Sequence, residues 1–298
     1  MSKQHYTFEQ IRYLPLAILP AGACLAWSIW GSTWPRWQLM WLMAVAIFAG
    51  SKWLTWRAAR PAGIPPWRQV AYLFLWPGLD APAFLFPGVR PPARPTRSAW
   101  VLAAFNLVLG TVFFWVVARR WPESWWWARG WTGMTGFILA AHCGFFQLLS
   151  CFWQSRGIAA RPLMNWPLRS TSVSEFWGRR WNTAFRDLAY RVLFQPLTRR
   201  WGARRALLAG FFFSGLLHEL VVTAPAGGGY GGPTVFFTLQ GVLILLERSP
   251  FGRSLGLGQG IRGWAFVVGE LAAMASLAFP TPFIQNIVLP MMRATGAL

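Results

Sequence analysis

Ser174-Glu175-Phe176-Trp177-Gly178-Arg179-Arg180-Trp181-Asn182 opens, and Phe211-Phe212-Phe213-Ser214-Gly215-Leu216-Leu217-His218-Glu219-Leu220 closes, the stretch whose reading decides the fold. The first half is polar and laden with aromatics. The second is an apolar run with a histidine and a glutamate side by side where hydrocarbon is expected. An ionisable group at the centre of a membrane helix costs about 2.5 kcal/mol or more, so such groups face a protein interior or a wet cavity and mark chemistry.

The surrounding composition agrees with a bilayer. Of 298 residues, 55% are hydrophobic and 12% charged, outside the range of soluble globular domains. The net charge of +20 is scattered between apolar blocks rather than gathered on one polar domain, which excludes a nucleic-acid reading and fits loops held at anionic headgroups. Cys24, Cys143 and Cys151 lie in apolar stretches without CxxC spacing and read as small core residues. Ala21-Gly22-Ala23-Cys24 faintly resembles a cleavage site, but the apolar run continues to Trp30, so it reads as a retained anchor.

The apolar runs Tyr13 to Trp30 and Trp37 to Leu54 each suit a crossing of ~30 Å of hydrocarbon and form a hairpin through Gly31 to Arg36. Val70 to Leu79, inside a basic, proline-rich stretch, is too short to span and reads as interfacial or partly inserted. Further spans are expected at Ser98 to Val117, Trp131 to Trp153, Ala206 to Ala224, Thr234 to Leu246 and Gly263 to Phe279, with a short terminal piece from Phe283 to Met292. The expectation is an all-α polytopic protein of about seven to eight transmembrane helices plus an amphipathic interfacial or re-entrant segment, one membrane-embedded domain over 1–298. Gln154 to Arg205 carries eleven arginines, which places that link and the N-terminus in the cytoplasm and the uncharged Ala226 to Gly232 outside. The link carrying Arg119, Arg120 and Arg129 dissents, and its tryptophans suit the headgroup level.

From Glu175 to Arg191 the apolar residues Trp177, Trp181, Ala184 and Leu188 recur at helical spacing with arginines between them, the pattern of a basic interfacial helix in which Asp187 pairs with Arg191. Such a helix serves as an anchor. Its residues equally suit a ligand, Arg179 and Arg180 holding phosphates and the aromatic faces an apolar part. His218 has the same two readings, a hydrogen-bonded interior group or a general base, with Ser214 one helical turn before it. Glu219 points about 100° away around the helix and is better placed to pair with another helix. His142 reads as structural and His5 as inert.

Phe176-Trp177-Gly178-Arg179-Arg180-Trp181-Asn182 followed by Ser214-Gly215-Leu216-Leu217-His218-Glu219-Leu220 resembles the paired signature of the wax synthase branch of the membrane-bound O-acyltransferases. Phe185-Arg186 and Tyr190-Arg191 between them fit that branch too. The resemblance implies a multi-helix membrane fold and transfer of an acyl group from acyl-CoA to the hydroxyl of a lipophilic alcohol. By position His218 matches the family's intramembrane histidine and Asn182 its partner asparagine, the expected catalytic pair. Phe176, Trp177, Arg179, Arg180, Trp181 and Ser214 are the expected substrate-binding residues. No metal and no cofactor beyond acyl-CoA as co-substrate are expected, and the expected location is the inner, cytoplasmic membrane of a bacterium. The HHxxxDG pattern of the unrelated bacterial wax ester synthases is absent. Two rival classes are a transporter or channel lined by His and Glu, and a haem protein ligated by His142 and His218. Neither accounts for Phe176 to Asn182.

Overall fold

The computed structural model describes residues 33–89 and 94–298, together with Gly22 and Trp27, and every regular element in them is helical. The expected first span, Cys24 and His5 lie outside the described residues. Among the described residues five helices are long and apolar enough to cross a membrane: α1 (Arg36–Ala59), α4 (Arg97–Arg120), α5 (Glu123–Ser155), α7 (Thr183–Ala226) and α10 (Gly260–Ala278). Between and after them lie α2 (Pro66–Phe74), α3 (Ala81–Leu85), α6 (residues 173–180), α8 (Gly232–Glu247), α9 (Pro250–Ser254) and α11 (residues 281–294). The chain is all-α and polytopic.

Each span expected within the described residues finds its helix, but the bounds move, and α8, expected as a crossing at Thr234 to Leu246, is one of the shorter apolar helices. α5 begins at Glu123, so the tryptophan-rich link is partly helical, and Trp121, Trp125 and Trp127 stack in series along its start. The segment expected at Val70 to Leu79 is the nine-residue α2, begun by Pro65 and Pro66, whose fixed φ is suited to a helix start. Trp67, Val70 and Phe74 on it are exposed, while Ala71 and Tyr72 are buried. Lys52 of α1, 3% exposed, donates from Nζ to the carbonyls of Tyr72 (2.7 Å) and Gly78 (2.6 Å) and lies 3.6 Å from the Tyr72 ring centroid. Those two carbonyls have no helical partner in that turn, and a buried orphan would cost about 1–3 kcal/mol.

The expected continuous helix from Glu175 to Arg191 does not form. Trp181 is extended and Asn182 left-handed (φ 39°), dividing α6 from α7. The chain breaks there because its backbone is committed elsewhere: the Asn165 N–H donates to the Arg180 carbonyl (2.8 Å) and the Thr183 N–H to the Leu163 carbonyl (3.0 Å). Asparagine tolerates the left-handed region better than other non-glycine residues. Beside the anticipated Asp187–Arg191 pair stand two ion pairs the spacing did not predict: Asp187 meets Arg186 (3.1 Å), and Arg191 reaches Asp80 (3.9 Å). α7 then runs to Ala226, far longer than the apolar run alone, with a sharp corner at Gly202 (φ 78°, ψ 161°).

The interior that positions the site lies between α6, α7, α8 and α10, where Val173, Phe176, Ile244 and Val267 are buried against Trp177, Trp181, Phe211 and Leu271. α7 and α8 approach until backbone touches backbone: a Cβ on Gly215 would sit 2.5 Å from the Thr234 Cα. α11 plugs the other side, its Ile284, Ile287, Val288 and Met292 packed among Met40, Met134 and Val222.

Candidate active site

α6 starts at a box of local hydrogen bonds written in Ser172-Val173-Ser174-Glu175. Ser172 Oγ accepts the Glu175 N–H (2.9 Å), and Glu175 Oε2 accepts the Thr171 N–H (2.9 Å). A second carboxylate arrives from α8. Glu247, 5% exposed, accepts the Val173 N–H (2.8 Å) and the Ser174 N–H (2.9 Å), satisfying donors that a helix start leaves open.

The two arginines of the motif part company. Residues 176–180 form a wide turn closed by i→i+5 bonds, and this brings Arg180 round to Glu175, five residues back. Arg180 donates to Glu175 Oε1 from Nε (2.9 Å) and Nη2 (2.7 Å), and to the carbonyls of Asn165 (3.2 Å) and Trp166 (3.4 Å). Burial pushes the Glu175 carboxyl up, but the Thr171 N–H and the Arg180 guanidinium outweigh it and hold it below its ordinary value. Arg180 is therefore a clasp. Arg179 is exposed instead and lines a crevice of about 300 Å³ with Arg161, Arg186, Asn165, Thr183 and Asp187.

The aromatic residues of the motif turn inward. Phe176 is buried and stacks on Trp181 (5.4 Å, 16°). Trp177 packs against Phe211 of α7 and against Phe236 and Phe237 of α8, and its indole N–H donates to Gln240 Oε1 (2.8 Å).

Phe237 connects this cluster to His218, the two ring centroids lying 4.2 Å apart. His218 Nδ1 is 2.7 Å from the Ser214 carbonyl oxygen. A carbonyl only accepts, so Nδ1 carries the hydrogen and, in the neutral ring, Nε2 keeps the lone pair. Ser214 thus meets the histidine through its backbone. A wide turn, Glu219–Thr223, follows immediately, a distortion frequent at functional sites.

Glu219 does what its place on the helix predicts: Oε1 accepts from the Thr234 N–H (3.0 Å) and hydroxyl (2.8 Å), and Oε2 from the Thr223 hydroxyl. It bolts α7 to α8 and does not orient the imidazole. Asn182 sits at the corner between α6 and α7 with its side chain making no cap hydrogen bond, and its N–H meets the Met164 sulfur at 3.4 Å. Among the described residues no hydrogen bond joins Asn182 to His218. His142 is elsewhere, in a wide turn of α5 edge-on to Phe137 and Phe146, with a buried Nδ1 that has no hydrogen-bond partner among the described residues.

Glu247 escaped sequence reading because a glutamate ending an apolar run beside Arg248 reads as a flanking charge. Gln240 and Glu270 were visible only as isolated polar residues in apolar helices. Their spacing gives the signal in retrospect: Gln240, Ile244 and Glu247 share one face of α8, the face that receives α6.

Residues 160–239 match the Membrane bound O-acyl transferase family. The long-chain-alcohol O-fatty-acyltransferase of Simmondsia chinensis is 35% identical over 104 residues, 30% of this chain and 28% of that protein. The probable long-chain-alcohol O-fatty-acyltransferase 8 of Arabidopsis thaliana is 37% identical over 106 residues (31% and 30%), and number 1 of that plant 36% over 153 residues (45% and 40%). The aligned stretch spans less than a third of the first two relatives' own lengths. The family match includes α6, the Asn182 corner, His218 and Phe237, and together with the names of the relatives it supports the resemblance to the wax synthase branch of the membrane-bound O-acyltransferases.

Proposed function

We propose that this protein transfers an acyl group from acyl-CoA to the hydroxyl of a lipophilic alcohol, forming an ester within the membrane, in a bacterium the cytoplasmic one. The observation that carries the reading is His218: its Nδ1 hydrogen is committed to the Ser214 carbonyl, leaving Nε2 as an acceptor in a ring packed on Phe237. In the reaction Nε2 takes the alcohol proton as the alcohol oxygen attacks the thioester carbonyl. The oxyanion then collapses, the C–S bond breaks, and the imidazolium returns its proton to the departing thiolate. Asn182, whose amide is not spent on capping, supplies a donor to the oxyanion, a role typically worth ~3 kcal/mol. Arg179, with Arg161 and Arg186 beside it in the crevice, holds the phosphates of coenzyme A through charge-assisted bonds. The thioester is already activated, so one displacement suffices and no covalent acyl-enzyme is needed.

The test is incubation of membranes containing the protein with labelled acyl-CoA and a panel of long-chain alcohols, sterols, terpenoid alcohols and diacylglycerol, identifying products by mass. A labelled ester above the empty-membrane background is expected. Transfer to none of them would overturn the reading.

A further inference from the structure

We propose that Glu270 is a positioning residue for this reaction: through the amide of Gln240 it fixes the Trp177 indole against Phe237, the ring on which His218 rests. The inference rests on the proposed acyl transfer.

Glu270 lies in α10, 9% exposed, and its Oε2 accepts from Gln240 Nε2 at 2.8 Å. Gln240 is fully buried, and its Oε1 accepts from the Trp177 indole at 2.8 Å. The three groups admit one arrangement. An indole only donates, so the amide must turn its oxygen to Trp177, which leaves its NH₂ facing α10, where only an acceptor suits it. Glu270 provides that acceptor, and its other oxygen is buried with no hydrogen-bond partner among the described residues. A carboxyl placed at membrane depth with one oxygen orphaned is costly, and a simple packing role would be met by leucine. What the carboxyl does that leucine cannot is hold the amide from flipping. Trp177 touches Phe211 two turns before His218 on α7, and Phe236 and Phe237 on α8, so its orientation sets the surroundings of the imidazole from two helices. No contact joins Glu270 to His218 directly among the described residues, which is why its role is positioning.

The experiment compares Glu270→Leu, Glu270→Gln, Trp177→Phe and the Glu270→Leu/Trp177→Phe double variant of the full chain, with labelled acyl-CoA and the best acceptor of the wild type. Glu270→Leu should lower kcat about tenfold or more, with the donor KM unchanged. Glu270→Gln keeps an oxygen for the Gln240 NH₂ and should recover most of the rate. Trp177→Phe keeps an aromatic ring without its N–H and should lose a similar factor, and the double variant should lose no more than the worse single one. Wild-type kcat in Trp177→Phe, a Glu270→Gln variant as slow as Glu270→Leu, or losses that multiply in the double variant would each overturn the proposal. The same four proteins are melted in detergent, where losses in Tm should fail to add. Additive melting losses refute the relay even if the wild type esterifies nothing, an outcome that would sink the acyl-transfer reading separately.

Discussion

Replacing His218 by alanine separates chemistry from architecture, because little of the fold hangs on that side chain. The substitution removes the Nδ1–H bond to the Ser214 carbonyl and the ring packed on Phe237. One intramolecular hydrogen bond is worth a net ~0.5–1.5 kcal/mol and an aromatic contact about 0.5–1.5 kcal/mol, to which the cavity left by the ring adds a term of similar size or larger, so the variant loses stability without losing a tie between helices. The bolt between α7 and α8 is untouched, since it belongs to Glu219, Thr223 and Thr234. General-base catalysis contributes about 10² to 10⁴ in rate, so ester formation should fall by that factor while the protein still inserts and still binds acyl-CoA. The assay is labelled ester formed per folded protein, with donor binding measured in parallel, and His142→Ala as control. Among the described residues the ring contacts of His142 are edge-on ones to Phe137 and Phe146, and its loss should be mild. Robust turnover by His218→Ala refutes the mechanism, and collapse of the His142 variant alone moves the chemistry to α5.

Arg179→Gln should raise the KM for acyl-CoA much more than for the alcohol, whereas Arg180→Gln, which opens the clasp on Glu175, should chiefly lower Tm; equal donor KM values for Arg179→Gln and wild type would remove the crevice from the binding site. Glu247→Ala exposes two N–H groups at the start of α6 to a dry interior, so a loss of about 2–4 kcal/mol is expected in denaturant or thermal unfolding. Gly215→Ala drives a methyl into the Thr234 backbone and should lower both Tm and kcat, because the helix that moves carries His218 and Phe237 sits across the gap. Glu175, held below its ordinary value of 4.5, contributes stability that is complete above that pH and fades as pH falls through its lowered folded value. The difference in stability between wild type and Glu175→Gln should therefore be flat above pH 4.5 and shrink below it, as read from melting in matched buffers.

Apolar runs announce spans because hydrocarbon leaves helix as the only open way to satisfy the backbone, and every span expected within the described residues has its helix. The break at Trp181–Asn182 was not legible, since helical periodicity continues through it. What stops the helix is pairing with residues 163–165, distant in the sequence and brought alongside only by the fold. Nor does a sequence distinguish Arg179 from Arg180, adjacent and chemically alike: an ordinary α-turn offers no i, i+5 neighbour, and only the wide turn hands Arg180 to Glu175. His218 was legible for the opposite reason, its anomaly being local, and its tautomer needed only one carbonyl on its own helix.

Lys52 ties the fold to its own synthesis. The carbonyls of Tyr72 and Gly78 are satisfied by a side chain on the preceding helix, so α2 and the turn after it can leave water only once α1 is already in place to receive them. Chain order from ribosome to membrane then matches the order in which these groups become satisfiable. A Lys52→Met protein would leave the apolar content of residues 61–89 unchanged, yet those residues would stall at the headgroup level, open to protease on the side from which they are made.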